Sequence, residues 1–183
     1  MIQDTEQKHS LKREEFNLIK SIILLSFYPQ MAIADQDNSY QCGSDQIFHT
    51  KEKPFVVLHP SSIYYSEPES LQPSSRIESS EFGNLSNDHC LLGYISFIET
   101  NKSYICNCYR LSSIHSLMLS SQEIDTNLDC SRIIFDNWLE IRFKHSKDGQ
   151  DLLIEAIKIR IEFEKLLTLI CKGELLLFSI ESK

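Results

Sequence analysis

Five consecutive residues, Thr100-Asn101-Lys102-Ser103-Tyr104, gather three small polar side chains, one cation and one aromatic ring. Such a group can hold a phosphate through Lys102 and the hydroxyls, and can stack a base on Tyr104. The plain alternative is an ordinary exposed turn. A second polar cluster, His59-Pro60-Ser61-Ser62, allows either a His–Ser relay or a turn that ends a strand. The turn is the stronger reading, because such hydroxyls usually bond nearby backbone groups.

Other chemistries lack their parts. The five glycines form no GxxxxGK cradle, and no D-E-x-H box is present. Nucleotide hydrolysis needs both a phosphate cradle and a metal-holding acidic group. A G-x-S-x-G nucleophile elbow is also missing, so the chain is read as noncatalytic. His49, His89, His115 and His145 are scattered without ligand spacing. The six cysteines, Cys42, Cys90, Cys106, Cys108, Cys130 and Cys171, contain no CxxC pair. No metal site is expected, and the cysteines read as free thiols. Cys106 and Cys108, as alternate residues of a strand, are expected on one face. Trp138 is expected in the core.

Reduced thiols suit a cytoplasmic or nuclear compartment. Ala32-Ile33-Ala34 resembles a signal-peptidase site, but the first twenty residues carry four basic and four acidic side chains, unlike a basic secretory leader. The apolar run Ile22–Phe27 is too short to cross a bilayer. A net charge of −8 argues against a strong self-sufficient nucleic-acid binder, since phosphate contacts need clustered Lys and Arg.

The elements that must position the polar clusters follow from periodicity. Phe16, Ile19, Ile23 and Phe27 recur at helical spacing over 9–27, and Pro29 stops that helix. Short β-favouring runs follow at Met31–Ala34, Asp45–Lys51 and Phe55–Leu58. Residues 64–90 are rich in Ser, Pro and acidic side chains, and read as a flexible insertion. Leu91–Glu99 and Tyr104–Leu111 form a hairpin around Thr100–Ser103. Ile114–Leu119 is one helical turn or a strand, and 120–131 is polar and loop-like. Ile133–Phe135 and Trp138–Phe143 make a last hairpin around Asp136-Asn137. Residues 148–172 form a second helix, with Asp148 and Asp151 at its start and Gly173 at its end. The expected class is mainly β with flanking helices (α+β): a small, partly open barrel of about five strands.

Several segments resemble one family. Phe27-Tyr28-Pro29-Gln30-Met31-Ala32 is similar to the passage from the ratchet domain into the OB fold of DEAH-box ATP-dependent RNA helicases. His59-Pro60-Ser61-Ser62 looks like that family's HPSS turn, Glu99–Tyr104 like its TSK-Y hairpin, and Asp136-Asn137-Trp138-Leu139 like the close of its OB domain. Ser44–Thr50, Asp125-Thr126-Asn127 and Leu128–Arg132 look most like the DEAH-box helicase 34 subfamily, which is linked to nonsense-mediated mRNA decay. The resemblance covers residues 11–172. It implies a helical ratchet tail at 1–27, an OB-fold domain at 28–147 with the insertion at 64–90, a C-terminal helix at 148–172 and an unplaced tail at 173–183.

The resemblance further implies an OB domain over an RNA channel, touching single-stranded RNA and docking regulators such as mRNA decay factors. Thr100, Asn101, Lys102 and Tyr104 would be RNA-proximal, with His59, Ser61 and Ser62 in the neighbouring turn and Arg110 as a later cation. The chain itself would need no cofactor; ATP and Mg would bind RecA-like motor domains outside it. No membrane partner is expected. Ile105-Cys106-Asn107 departs from the family pattern, because many members carry a basic residue soon after the tyrosine. Two other readings remain: a protein-interaction scaffold without RNA contact, and a standalone single-stranded RNA binder. Convergence of Lys51, Lys53, Lys102 and Arg110 on one face would favour RNA. Carboxylates from 64–90 over that face would favour a protein. The apolar stripe of the first helix is expected to stay exposed when the OB domain stands alone.

Overall fold

The computed structural model describes residues 13–72 and 90–172. The first helix, α1 (Arg13–Phe27), ends two residues before Pro29. Phe16, Leu18, Ile19 and Ile22 stay exposed, as expected of the stripe, while the side chain that enters the core is Leu24, which the stripe did not include. Residues 9–12 of the expected helix lie outside the described residues.

Strands β1 (Met31–Ala34), β2 (Ile47–Thr50) and β3 (Val56–Leu58) follow. Next come a single turn α2 (Ile63–Ser66) and a 3-10 turn over Pro68–Leu71. Then come β4 (Leu91–Gly93), β5 (Ser96–Glu99), β6 (Ser103–Cys106) and β7 (Tyr109–Arg110). These seven strands form one sheet in the order β5-β6-β3-β2-β1-β4-β7. Only the β3–β6 pair is parallel.

The number of strands differs from the expected five for a physical reason. The segment expected as one strand over 91–99 breaks between β4 and β5. The Ile95 amide donates to the Cys106 carbonyl (3.2 Å), the residue that Ser96 already faces. Two residues thus oppose one, which is a bulge that bends the strand. Opposite it, Asn107 has φ +53, and the strand expected over 104–111 breaks there too. If each broken strand counts once, five strand segments remain. The fourth pairs with the first through β4–β1 and with the fifth through β5–β6 and β4–β7; the fifth pairs with the third through β6–β3. The bends let two strands serve neighbours on both sides, which wraps the sheet into the partly open barrel of an OB fold.

The barrel interior holds Ala32, Ala34, Phe48, Val56, Leu58, Leu92 and Ile105. Alternation along β1 sends the two alanines inward and Met31 to the other face, as a pleated strand requires. Leu71 also joins the interior cluster. The expected flexible insertion therefore begins with ordered structure, because Pro68 and Leu71 are buried. Its residues 73–89 lie outside the described residues.

After the barrel, α3 (Ser113–Ser120) is a full helix rather than one turn or a strand. A second sheet, order β10-β9-β8, contains β8 (Ile124–Thr126), β9 (Arg132–Phe135) and β10 (Leu139–Arg142). The strand β8 falls where a loop was expected. Pairing with β9 supplies its backbone bonds, and Ile124 packs on the core. The β9–β10 turn is at Asp136-Asn137, both with positive φ (50° and 54°), the conformation two-residue hairpins favour. Asp136 Oδ1 also accepts the amides of Gln122 (2.9 Å) and Glu123 (2.8 Å), tying the loop before β8 to this turn. Trp138 is half-buried against the second core.

The last helix, α4 (Ser146–Cys171), carries Leu152 and Ala156 into that core, with Leu24, Ile114, Leu117, Ile133, Phe135 and Leu139. Arg160 clamps α4 to the end of α3, donating through Nε to the Met118 carbonyl (2.7 Å) and through its fork to the Ser121 carbonyl. Residues 173–183 lie outside the described residues.

Candidate nucleic-acid interface

The His59 turn grows out of β3. The His59 amide donates to the Ile105 carbonyl (3.1 Å), extending the parallel ladder by one bond. The Ser62 amide then closes back on the His59 carbonyl (2.8 Å). His59 Nδ1 accepts the Ser61 amide (3.2 Å) and lies 2.7 Å from Ser61 Oγ. Ser61 is thus engaged within its own turn, and Ser62 makes no side-chain cap. This arrangement holds the turn that ends β3.

The hairpin tip is set by the β5–β6 register. Glu99 faces Ser103, and the Thr100 amide donates to the Lys102 carbonyl (3.0 Å). Thr100, Asn101 and Lys102 are left exposed at the apex. The β3–β6 pairing sets Tyr104 opposite Val57. It brings the half-buried Tyr104 ring edge-on to His59, with centroids 5.5 Å apart and planes at 76°. The fold therefore joins the two polar clusters, which lie some forty residues apart in sequence.

The cations converge only in part. Lys102 pairs with Asp45 and Lys53 with Glu99. The Asp45 carboxylate, through its hydrogen bond and charge, holds the Lys102 ammonium above its usual pKa. Lys53 also lies 5.7 Å from the Phe97 ring centroid. Arg110 is elsewhere: it sits on β7, at the opposite end of the sheet order from β5. Its guanidinium donates to the carbonyls of Ser70 (3.0 Å) and Gln72 (3.4 Å). Arg110 is a clamp on the 3-10 turn and does not join the hairpin. Lys51 is exposed in the β2–β3 turn. The partnering carboxylates, Asp45 and Glu99, come from outside the acidic 64–90 stretch.

Sequence reasoning missed the surroundings of this face. Ile63, Tyr65, Phe97 and Ile98 are exposed. Phe55 was expected to begin a strand. It instead stands in the turn before β3, 68% exposed, at φ +58, edge-on to His49 at 5.2 Å. A bulky residue in the left-handed region costs about 1–3 kcal/mol. Phe55→Gly removes that strain with little burial to lose. It is expected to raise stability by about 1 kcal/mol, read as a higher urea midpoint; a lower midpoint would mean the ring packs more than its exposure indicates.

Other candidate chemistries dissolve in the structure. His49 Nε2 meets Asp35 Oδ2 at 2.7 Å in a local pair. Burial pushes the Cys90 thiol up to about 11 and the Cys108 thiol up to about 12, far from thiolate reactivity. Asn107 breaks the strand between Cys106 and Cys108, so they are not alternate residues of one strand as expected. Among the described residues no group of three or more His, Cys, Asp or Glu could hold a metal. No described helix is long and apolar enough to cross a membrane.

Residues 19–124 match the family described as the oligonucleotide/oligosaccharide-binding (OB)-fold. The chain is similar to the "Probable ATP-dependent RNA helicase DHX34" of Mus musculus, 40% identical over 163 residues. It is 39% identical to the Homo sapiens protein of the same name. In both cases 86% of this chain and 14% of the relative are covered, so the chain spans about one seventh of the length of these relatives. The barrel topology, the joined turn and hairpin, and these likenesses lead to one conclusion: the chain belongs to the OB-fold family, in the helicase-associated form found in DEAH-box RNA helicases.

Proposed function

We propose that the chain acts as a noncatalytic accessory module of an ATP-dependent DEAH-box RNA helicase, working in the cytoplasm or nucleus in mRNA surveillance. Its hairpin would lie along the RNA channel, with Thr100, Asn101 and Lys102 toward the backbone and Tyr104 toward a base. His59, Ser61 and Ser62 hold the turn that backs the tyrosine. The observation that carries this reading is the seating of Tyr104 against His59 beneath an exposed polar tip. Hydrolysis of ATP would belong to motor domains outside this chain.

The charge arrangement limits what the module does alone. Each lysine at the hairpin carries a carboxylate partner, so few phosphates can be neutralised. Binding of single-stranded RNA, followed by fluorescence anisotropy across a salt series, is expected to be weak. Its log–log salt slope should correspond to one or two phosphates, at about −0.7 per phosphate for a single strand. Lys102→Ala should flatten that slope by about 0.7, and Tyr104→Ala should weaken binding without changing it. Asp45→Asn, which frees Lys102, should tighten binding severalfold. RNA binding that ignores all three substitutions would sink the hairpin as the contact. The same carboxylate pairing favours a second reading, in which the OB face docks protein regulators such as decay factors.

A further inference from the structure

β5 ends the order of the seven-stranded sheet. Its inner side belongs to β6. The Thr100–Lys102 bond marks a hydrogen-bonded pair of that ladder, so alternation makes Ile98/Tyr104 and Ser96/Cys106 the next ones. The backbone N–H and C=O groups of Phe97 and Glu99 therefore point away from β6. On that outer side β1 pairs with β4 only as far as Met31 opposite Gly93. One further backbone bond, from the Tyr94 amide to the Gln30 carbonyl (3.2 Å), follows, and the Gln30 side-chain amide donates to the carbonyls of Tyr94 (2.9 Å) and Ile95 (2.8 Å). Among the described residues, no strand fills the continuation of this lane beside β5.

Two of the other edge strands, β7 and β10, are guarded differently. β7 has only two residues, and its Arg110 is turned onto the 3-10 turn. β10 carries Glu140 and Arg142, with Arg132 also paired to Glu140. β5 instead shows two large apolar side chains on opposite faces, Phe97 at 39% and Ile98 at 43% exposure. An open edge with apolar side chains on both faces is the feature proteins usually avoid unless something pairs with it.

We propose that the outer edge of β5 docks a short extended peptide of a partner protein, added as a strand in the lane that β1 leaves vacant. Outward N–H and C=O groups at alternate residues are matched by another peptide backbone, and a sugar-phosphate chain supplies no such alternating donors. The charges agree. Lys53–Glu99 and Lys102–Asp45 are already paired, so the edge favours uncharged aliphatic or aromatic side chains that cover Phe97 on one face and Ile98 on the other. The bulge at Ile95 and the turn at Thr100 confine pairing to the four residues of β5, which makes the site a closed slot instead of an open template for aggregation. This site is separate from RNA contact at the tip: it uses the backbone of Phe97 and Glu99, not the side chains of Lys102 and Tyr104.

The test is amide hydrogen exchange, followed by NMR on the full chain. The probes are five end-blocked octapeptides in which threonine alternates with valine, isoleucine, leucine, phenylalanine or tyrosine. At least one is expected to slow exchange of the Phe97 and Glu99 amides tenfold or more and to leave Ile98 unchanged. N-methylation of every second peptide residue should abolish the effect in one of the two frames. Phe97→Lys should weaken binding at least fivefold. The proposal is overturned if none of the five peptides protects these amides at millimolar concentration, or if N-methylation in either frame makes no difference. Protection that grows with protein concentration alone would make a second copy the occupant. Protection by an oligouridylate in place of peptide would assign the edge to nucleic acid. Either result overturns it.

Discussion

Phe135→Ala is expected to destabilise the chain by about 3–5 kcal/mol, the range for truncating a fully buried aromatic side chain. Phe135 is 1% exposed and lies where Leu24 of α1, Ile114 and Leu117 of α3, and Leu152 of α4 meet. No other part of the second sheet could fill the space, because Ile133 and Leu139 already occupy their own places in the same cluster. A domain of this size loses roughly 2–4 °C of melting temperature per kcal/mol, so a fall of about 6–20 °C should appear in thermal unfolding followed by circular dichroism. Since whole domains are stable by only about 5–15 kcal/mol, the variant should also be far more sensitive to urea. Phe16→Ala, at a position 50% exposed on α1, serves as the control and should change stability by less than about 1 kcal/mol. Equal effects at the two positions would mean that the small sheet and the helices do not share one core.

Gly149→Ala should also destabilise, which is the reverse of the usual sign. Inside a helix, alanine is normally favoured over glycine by about 1 kcal/mol. Gly149 lies in the first turns of α4, and an added Cβ would fall 2.0 Å from the Cys130 carbonyl oxygen, a backbone atom that cannot swing aside. The close approach is held by several bonds. Ser146 Oγ donates to Asp129 Oδ2 (3.0 Å), and Gln150 Nε2 donates to the Asp129 carbonyl (3.3 Å). The hydroxyl and amide of Ser131 and the hydroxyl of Ser146 hold the Asp129 carboxyl below its usual pKa. To accept a methyl group, α4 must move away from this loop and loosen those bonds. A loss of about 1–3 kcal/mol is expected, the range for overpacking a tight site. A gain in the urea midpoint for Gly149→Ala would show that α4 does not approach Cys130 in solution.

Much of this architecture can be read along the chain. The stripe of α1, the place of the Asp136-Asn137 turn and the first apolar turns of α4 are local patterns, whereas Ile159, Leu166 and Ile170, expected on the apolar side of α4, are exposed. The helical period of 3.6 comes from backbone geometry and needs no knowledge of distant neighbours. The HPSS and TSK-Y resemblances, together with the order of the other segments, were enough to name an OB fold of the helicase type. The breaks in the two long strands were not legible. A bulge at Ile95 exists only because Cys106 lies opposite it, and Asn107 adopts positive φ only because the chain must bend there. β8 was likewise hidden, since polar residues become a strand when β9 offers them partners.

The candidate site divides in the same way. Residue types alone marked the hairpin and the His59 turn as able to meet a polynucleotide. Only the parallel pairing of β3 with β6 could bring Tyr104 to His59, because that pairing joins strands separated by an entire insertion. Charge behaved similarly. Composition stated that the chain is acidic, but not that Asp45 and Glu99 would lie on Lys102 and Lys53, nor that Arg110 would be spent on the carbonyls of Ser70 and Gln72. Sequence by itself determined the kinds of element and the inventory of functional groups, which depend on near neighbours and on side-chain chemistry. The tertiary structure alone decided which groups meet, which charges cancel and which strand edge has no partner among the described residues, because these depend on contacts between residues far apart in the chain.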